Sequence, residues 1–148
     1  IPAIKNTSVL VIGGSSGIGY GVANKALAEG ARVHIVSSNP SRLEQSVAAL
    51  KQKHIGADVS SQPCDLVDPN VERNLEKVLE SIEPLDHIVY TAGDALAIVP
   101  LAQINLDSIH KASHIRFTVP LLLAKLAPRY LKLNYRHTIS HTPTACSA

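Results

Sequence analysis

The chain predicts an α/β fold, a doubly wound parallel sheet of about four strands in a three-layer α/β/α arrangement, and three observations predict it. Val9–Ile12 is a continuous apolar run, the pattern of a parallel strand buried on both faces. A glycine-rich turn, G-G-S-S-G-I-G over Gly13–Gly19, follows at once. Apolar residues then recur at Ile18, Val22 and Ala26, with Ala23 and Leu27 beside them, at the spacing of one helical face. Beyond Gly30, extended apolar stretches alternate with amphipathic stripes, the strand-helix-strand order that a parallel sheet needs.

Composition narrows the function classes. The 148 residues are one domain's worth and long enough for a core, and 45% apolar with 18% charged residues is a globular balance. A net charge of +2 without a basic stripe argues against nucleic acid as a partner. No apolar stretch reaches membrane-spanning length and no charged-then-apolar leader opens the chain, so no membrane and a cytoplasmic location are expected. The chain begins with Ile and has no Met, so its true start is expected to be missing or processed. Cys64 and Cys146 lack C-x-x-C spacing and are expected to be free thiols. His110 with His114, and His137 with His141, stand one helical turn apart; no Cys, Asp or Glu completes either set, and no metal is expected. No G-x-S-x-G elbow exists for hydrolase chemistry.

The glycine turn carries the chemistry. A strand feeding a helix through Gly13, Gly17 and Gly19 presents free backbone N–H groups at the positive end of the helix dipole, where a pyrophosphate can sit. The cofactor-binding residues expected here are Gly13, Ser15, Ser16, Gly17, Ile18 and Gly19. The spacing is G-x-x-x-G-x-G, not G-x-G-x-x-G. With S-S-G-I-G intact it resembles the short-chain dehydrogenase/reductase family, whose usual form has Thr where this chain has Ile12. The resemblance covers residues 6–130. It implies a Rossmann-like sheet and NAD(P)-linked oxidation or reduction of a carbonyl or alcohol substrate.

Val33–Ser37 is the second strand. In dinucleotide folds the residue closing this strand meets the adenosine ribose, where an acid favours NAD and hydroxyls with an Arg accommodate a 2′-phosphate. This chain places Ser37, Ser38 and Asn39 there, with Arg42 following, so NADP (NADPH) is favoured over NAD. Asn39 before Pro40 also reads as a helix N-cap, Ser41 with Glu44 as a capping box, and Arg42 as a solvated first-turn residue. Pro40–Lys53 is a helix with Leu43, Val47 and Leu50 on one face, and Val59–Cys64 a third strand at an edge, because of Pro63. Asp65–Leu66 matches the family's adenine contact, in which the Asp takes the exocyclic amine; without the glycine motif Asp65 reads as a turn acid.

Asp68 as cap and Pro69 as first helical residue start a stripe of Val71, Leu75, Val78, Leu79 and Ile82, which Pro84 stops. Asp86–Thr91 is the fourth strand and leads to Ala92–Gly93. In the family this strand ends N-N-A-G beside the cofactor ribose; here it ends Y-T-A-G, so Ala92 and Gly93 carry over while Tyr90 and Thr91 replace both Asn residues. Asp107–Ala127 is a long apolar-sided helix that Pro120 should kink. The family's V-N-L signature, whose Asn helps hold a proton-relay water, falls on Ile115–Arg116–Phe117, so Arg116 stands at the usual Asn position and changes or removes that role. This helix forms part of the family's dimer contact, and a homo-oligomer or aggregation through it is expected.

The family's chemistry further depends on a strand-borne Ser and a Tyr-x-x-x-Lys pair. Tyr20, Tyr90, Tyr130 and Tyr135 are followed four residues later by Asn24, Asp94, Asn134 and Ile139, so no Tyr qualifies and no catalytic residue is assigned. Ser140, in H-T-I-S-H, is the one candidate for the strand-borne Ser. The organisation expected is an incomplete Rossmann domain over 1–132 and a divergent, disordered tail over 133–148. The whole reads as the truncated N-terminal half to two-thirds of a reductase. Two hypotheses stand: an oxidoreductase, catalytically incomplete in this form, acting on a small carbonyl or alcohol; or a non-catalytic dinucleotide-binding or dimerising module.

Overall fold

A computed structural model of the chain describes residues 3–95, 98–132 and 138–141, the last four in backbone only. Its centre is a parallel sheet in the order β3-β2-β1-β4-β5. The strands are β1 (Ser8–Ile12), β2 (Arg32–Ser37), β3 (Val59–Pro63), β4 (His87–Tyr90) and β5 (Thr138–His141). β1 lies in the middle because its apolar run suits burial on both sides. Val9 and Val11 face a core shared with helices α1 (Gly17–Ala28) and α2 (Pro40–Lys53). Leu10 and Ile12 face a second core with α3 (Val71–Ser81) and α5 (Val119–Leu126). Two helical layers thus enclose the sheet, as the period-two alternation along β1 requires. Each fully buried side chain, Leu10, Leu75 and Leu79 among them, contributes roughly 1.5–3 kcal/mol.

Register fixes where a site can form. Ile12 pairs with Val36 of β2 and with Tyr90 of β4, so the C-terminal ends of all three strands come level. The chain order reverses between β2 and β4 on either side of β1, and the crevice beyond those ends is the switch point where such sheets bind ligands.

The structure departs from the sequence expectations in four places. Residues 138–141 form a fifth strand, β5, in parallel register with β4 (Val89 opposite Ser140), so the sheet extends into the stretch expected to be a disordered tail. T-I-S-H is too short and polar to show strand periodicity; an available edge recruits it into the backbone ladder. Residues 133–137 and 142–148 lie outside the described residues. Helix α3 starts at Val71 with Asn70 as its N-cap, while Asp68 accepts a bond from the Asn70 amide at 2.7 Å in a preceding turn that also holds Pro69. Ser41 lies inside α2, one residue past Pro40, which leaves no place for a Ser41–Glu44 capping box. The long helix is divided into α4 (Leu106–Ser113), a π-helical turn (His114–Thr118) and α5. Pro120 has no N–H to give the Arg116 carbonyl, and the widened turn accommodates the missing bond.

Candidate dinucleotide site

The turn after β1 is folded back on itself. The Gly13 amide donates to the Val36 carbonyl at 2.7 Å, and Gly13 adopts φ +89°, with the Ala92 nitrogen 2.6 Å from where a Cβ would stand. Gly19 is buried, and a Cβ there would fall on the Gly13 carbonyl oxygen and the Thr91 hydroxyl. Gly19 therefore serves close packing of α1 against the turn and the end of β4.

α1 opens on Ser16, whose backbone is extended but whose side chain makes no capping bond, and its first turn carries no acid. Two other helices are capped by side chains: in α2 Asn39 accepts from the Arg42 amide at 3.0 Å, and in α4 Asn105 from the Ser108 amide at 2.9 Å. The leading N–H groups of α1 thus face the crevice without a side-chain acceptor, which suits a phosphate.

Around this mouth lies a cleft of about 260 Å³. Gly13, Ser15, Ser16, Gly17 and Ile18 line it from the turn; Ser37, Ser38 and Arg42 from the end of β2; Asp65 and Leu66 from the loop after β3; Ala92 and Gly93 from the end of β4. Of the residues expected from sequence, Gly19 and Asn39 do not line it. Gly19 packs beneath it, and the Asn39 side chain is committed to capping α2.

Hydroxyls tie these walls together. Ser15 donates to Ser37 across 2.9 Å, and the buried Ser46 hydroxyl lies 2.8 Å from the Ser15 carbonyl and 2.7 Å from that of Arg42. Asp65 accepts from the Val67 amide at 3.0 Å, so it closes a turn as well as lining the cleft. Thr91 binds the end of β4 to β1: its amide donates to the Ile12 carbonyl at 2.8 Å, and its hydroxyl lies 3.2 Å and 3.3 Å from the Ile12 and Gly13 carbonyls. Tyr90 donates its hydroxyl to the Ile115 carbonyl at 2.5 Å; burial above all keeps the phenol protonated.

Several lining residues were not legible in the sequence, among them Ile12, Val36, Cys64, Val67 and Ile115. Burial, and then the negative charge of Asp65 and Asp68, pushes the Cys64 thiol up. Ile115 enters through the π-helical turn, for which Pro120 was the only signal. Arg116 is ion-paired with Asp94, 3.3 Å from its carboxylate and 2.6 Å from its carbonyl. His114 bonds the Leu66 carbonyl, and His137 lies outside the described residues. Ser140 sits in β5 opposite Val89.

The doubly wound parallel sheet and the cleft at its switch point define a Rossmann-like domain of the dinucleotide-binding class. Comparison with known proteins then gives the family. The family profile of an SDR-like Rossmann domain matches residues 2–148, further at both ends than the motifs alone reach. The short-chain dehydrogenase/reductase malC of Malbranchea aurantiaca is 42% identical over 138 residues, 88% of this chain and 52% of its own length. The short-chain dehydrogenase/reductase ATR9 of Stachybotrys chlorohalonatus is 32% identical over 150 residues, 98% of this chain and 59% of its own. The solved structure of the MalC reductase/Diels-Alderase superposes with a TM-score of 0.87 at 39% identity, over 94% of this chain and 56% of that one. The chain belongs to the short-chain dehydrogenase/reductase family of oxidoreductases and spans little more than half the length of these relatives. Membership implies a nicotinamide dinucleotide as cofactor. Among the described residues no helix is long and apolar enough to cross a membrane.

Proposed function

We propose that this chain is the NADP-binding part of a short-chain oxidoreductase that interconverts a small carbonyl and its alcohol. The observation that carries the reading is the end of β2: Ser37, Ser38 and Arg42 line the cleft there, and Ser46 anchors the backbone of both Ser15 and Arg42. Hydroxyls and a guanidinium suit a 2′-phosphate, where a carboxylate would take a free ribose. The Gly13–Gly19 turn would hold the pyrophosphate, Asp65 and Leu66 the adenine, Ala92 and Gly93 the nicotinamide ribose. Bound NADPH supplies a hydride. Titration with NADPH and NADH tests the preference: NADPH is expected to bind at least about tenfold more tightly, and equal or reversed affinities overturn it.

Proton exchange with substrate is where this chain differs from its family's pattern. It has no Tyr-x-x-x-Lys, and Arg116, held by Asp94, does not reproduce an Asn on a relay water. We therefore propose that these 148 residues bind cofactor without turnover, Ser140 remaining the one candidate for the strand-borne Ser. The relative MalC is described as a reductase and a Diels-Alderase; the cleft supports the reductase half. A turnover assay on a panel of carbonyls checks this, and oxidation of NADPH by the 148-residue chain would refute it.

One feature favours the second reading, a module that pairs with another copy or a relative. Leu106, Ile109, Phe117 and Leu121 are exposed along α4, the π-helical turn and α5. Apolar side chains of that size on one helical stretch favour self-association, which sedimentation of the wild type and of Phe117→Glu would reveal. We place the protein in the cytoplasm, where the buried Cys64 thiol stays reduced.

A further inference from the structure

A π-helical turn is rare and persists where contacts outside the helix hold it. Besides the Arg116–Asp94 pair, the turn His114–Thr118 has two that reach the cleft's strands and loops. Tyr90 donates to the Ile115 carbonyl from the end of β4, and His114 reaches the loop after β3, its Nε2 2.7 Å from the carbonyl oxygen of Leu66. A carbonyl only accepts, so Nε2 carries the proton and His114 is the donor. The loop it grips is fixed at its other end, where the Cys64 amide donates to the Ser37 carbonyl at 3.0 Å. Between these two points lie Asp65 and Leu66, both on the wall of the cleft.

We infer that His114 is a positioning residue for the adenine end of the cleft: its bond to the Leu66 carbonyl sets where the Asp65 carboxylate and the Leu66 backbone stand. The inference rests on the dinucleotide reading and deepens it. His114 need touch no ligand. Its effect passes through a single main-chain oxygen, so a side chain that donates there can replace it and one that merely fills the space cannot. Because the loop meets only one half of the dinucleotide, the effect is also confined to that half.

The test compares wild type, His114→Gln, which retains an N–H donor, and His114→Met, close to Gln in shape but without one. Each is titrated with NADPH, with 2′,5′-ADP as the adenine half and with nicotinamide mononucleotide as the other half, and each is checked by thermal melting. His114→Met is expected to bind 2′,5′-ADP roughly three- to tenfold more weakly, His114→Gln within about twofold of wild type, and nicotinamide mononucleotide equally in all three. Met and Gln binding 2′,5′-ADP alike, or a parallel loss of both fragments in His114→Met, overturns the inference while leaving the dinucleotide reading intact. Failure of the wild type to bind NADPH removes that reading and the inference with it.

Discussion

Tyr90 donates its hydroxyl to the main-chain carbonyl of Ile115, joining the end of the fourth strand to the π-helical turn 25 residues later. Tyr90 is 1% exposed, while Ile115 is half-buried at the wall of the cleft. Tyr90→Phe keeps the ring and deletes the donor at a half-buried acceptor. The expected cost is roughly 1–2 kcal/mol, seen as a lower urea midpoint with an unchanged slope. An unchanged midpoint would mean that the carbonyl finds another partner.

Gly19→Ala acts through shape alone. The added methyl meets the Gly13 carbonyl and the Thr91 hydroxyl, and the first turn of α1 must move away from the end of β4. Destabilisation of roughly 2–4 kcal/mol is expected, together with loss of NADPH binding. A Gly19→Ala protein that melts like the wild type would show that α1 shifts freely.

Arg42 is exposed and lines the cleft while its backbone amide is held by Asn39. Arg42→Ala leaves that cap intact, so the fold is expected to be unaffected. Affinity for NADPH should fall roughly tenfold and that for NADH hardly at all, as read by fluorescence titration. Equal losses for both would remove Arg42 from the 2′-phosphate.

Two titratable groups make stability fall on acidification, in separate windows. Burial holds the His34 imidazole below the usual histidine range, while Nδ1 lies 2.7 Å from the Ser60 hydroxyl. The unfolded chain takes up this proton first, so the contribution of His34 is complete above about pH 6.5 and is lost as pH falls towards its folded value. Burial pushes the Asp86 carboxyl up, but bonds from the Ser8 amide and Lys132, each 2.9 Å, outweigh it and hold the group below the usual range. That contribution is complete above about pH 3.9 and disappears below it. Urea midpoints should therefore decline in two stages. His34→Gln should flatten the first and Asp86→Asn the second, and an unaltered profile in either variant would exclude that residue.

The sheet was legible because it rests on periodicity. Val9–Ile12, the stripe from Val71 to Leu79 and the edge position of Pro63 follow from patterns that burial imposes on a chain. Gly13, Asp65 and Gly93 were legible as positions because their spacing fits one turn, one loop and one strand end. What was hidden depends on contacts across the fold. Nothing near Thr91 shows that its hydroxyl meets carbonyls 78 and 79 residues away, and nothing near His114 points to Leu66. Thr138–His141 is held by its neighbour's edge, which leaves no trace in its own composition.

The central strand is made well before its partner on one side, β4, which comes long after it in the chain. Ser8 waits for Asp86, and Ile12 for Thr91, before either end of that ladder is closed. Long-range parallel pairing of this kind makes folding slow. During synthesis, a chain released only as far as residue 80 has the glycine turn but no far wall, so the cleft is complete only once the π-helical turn has left the ribosome.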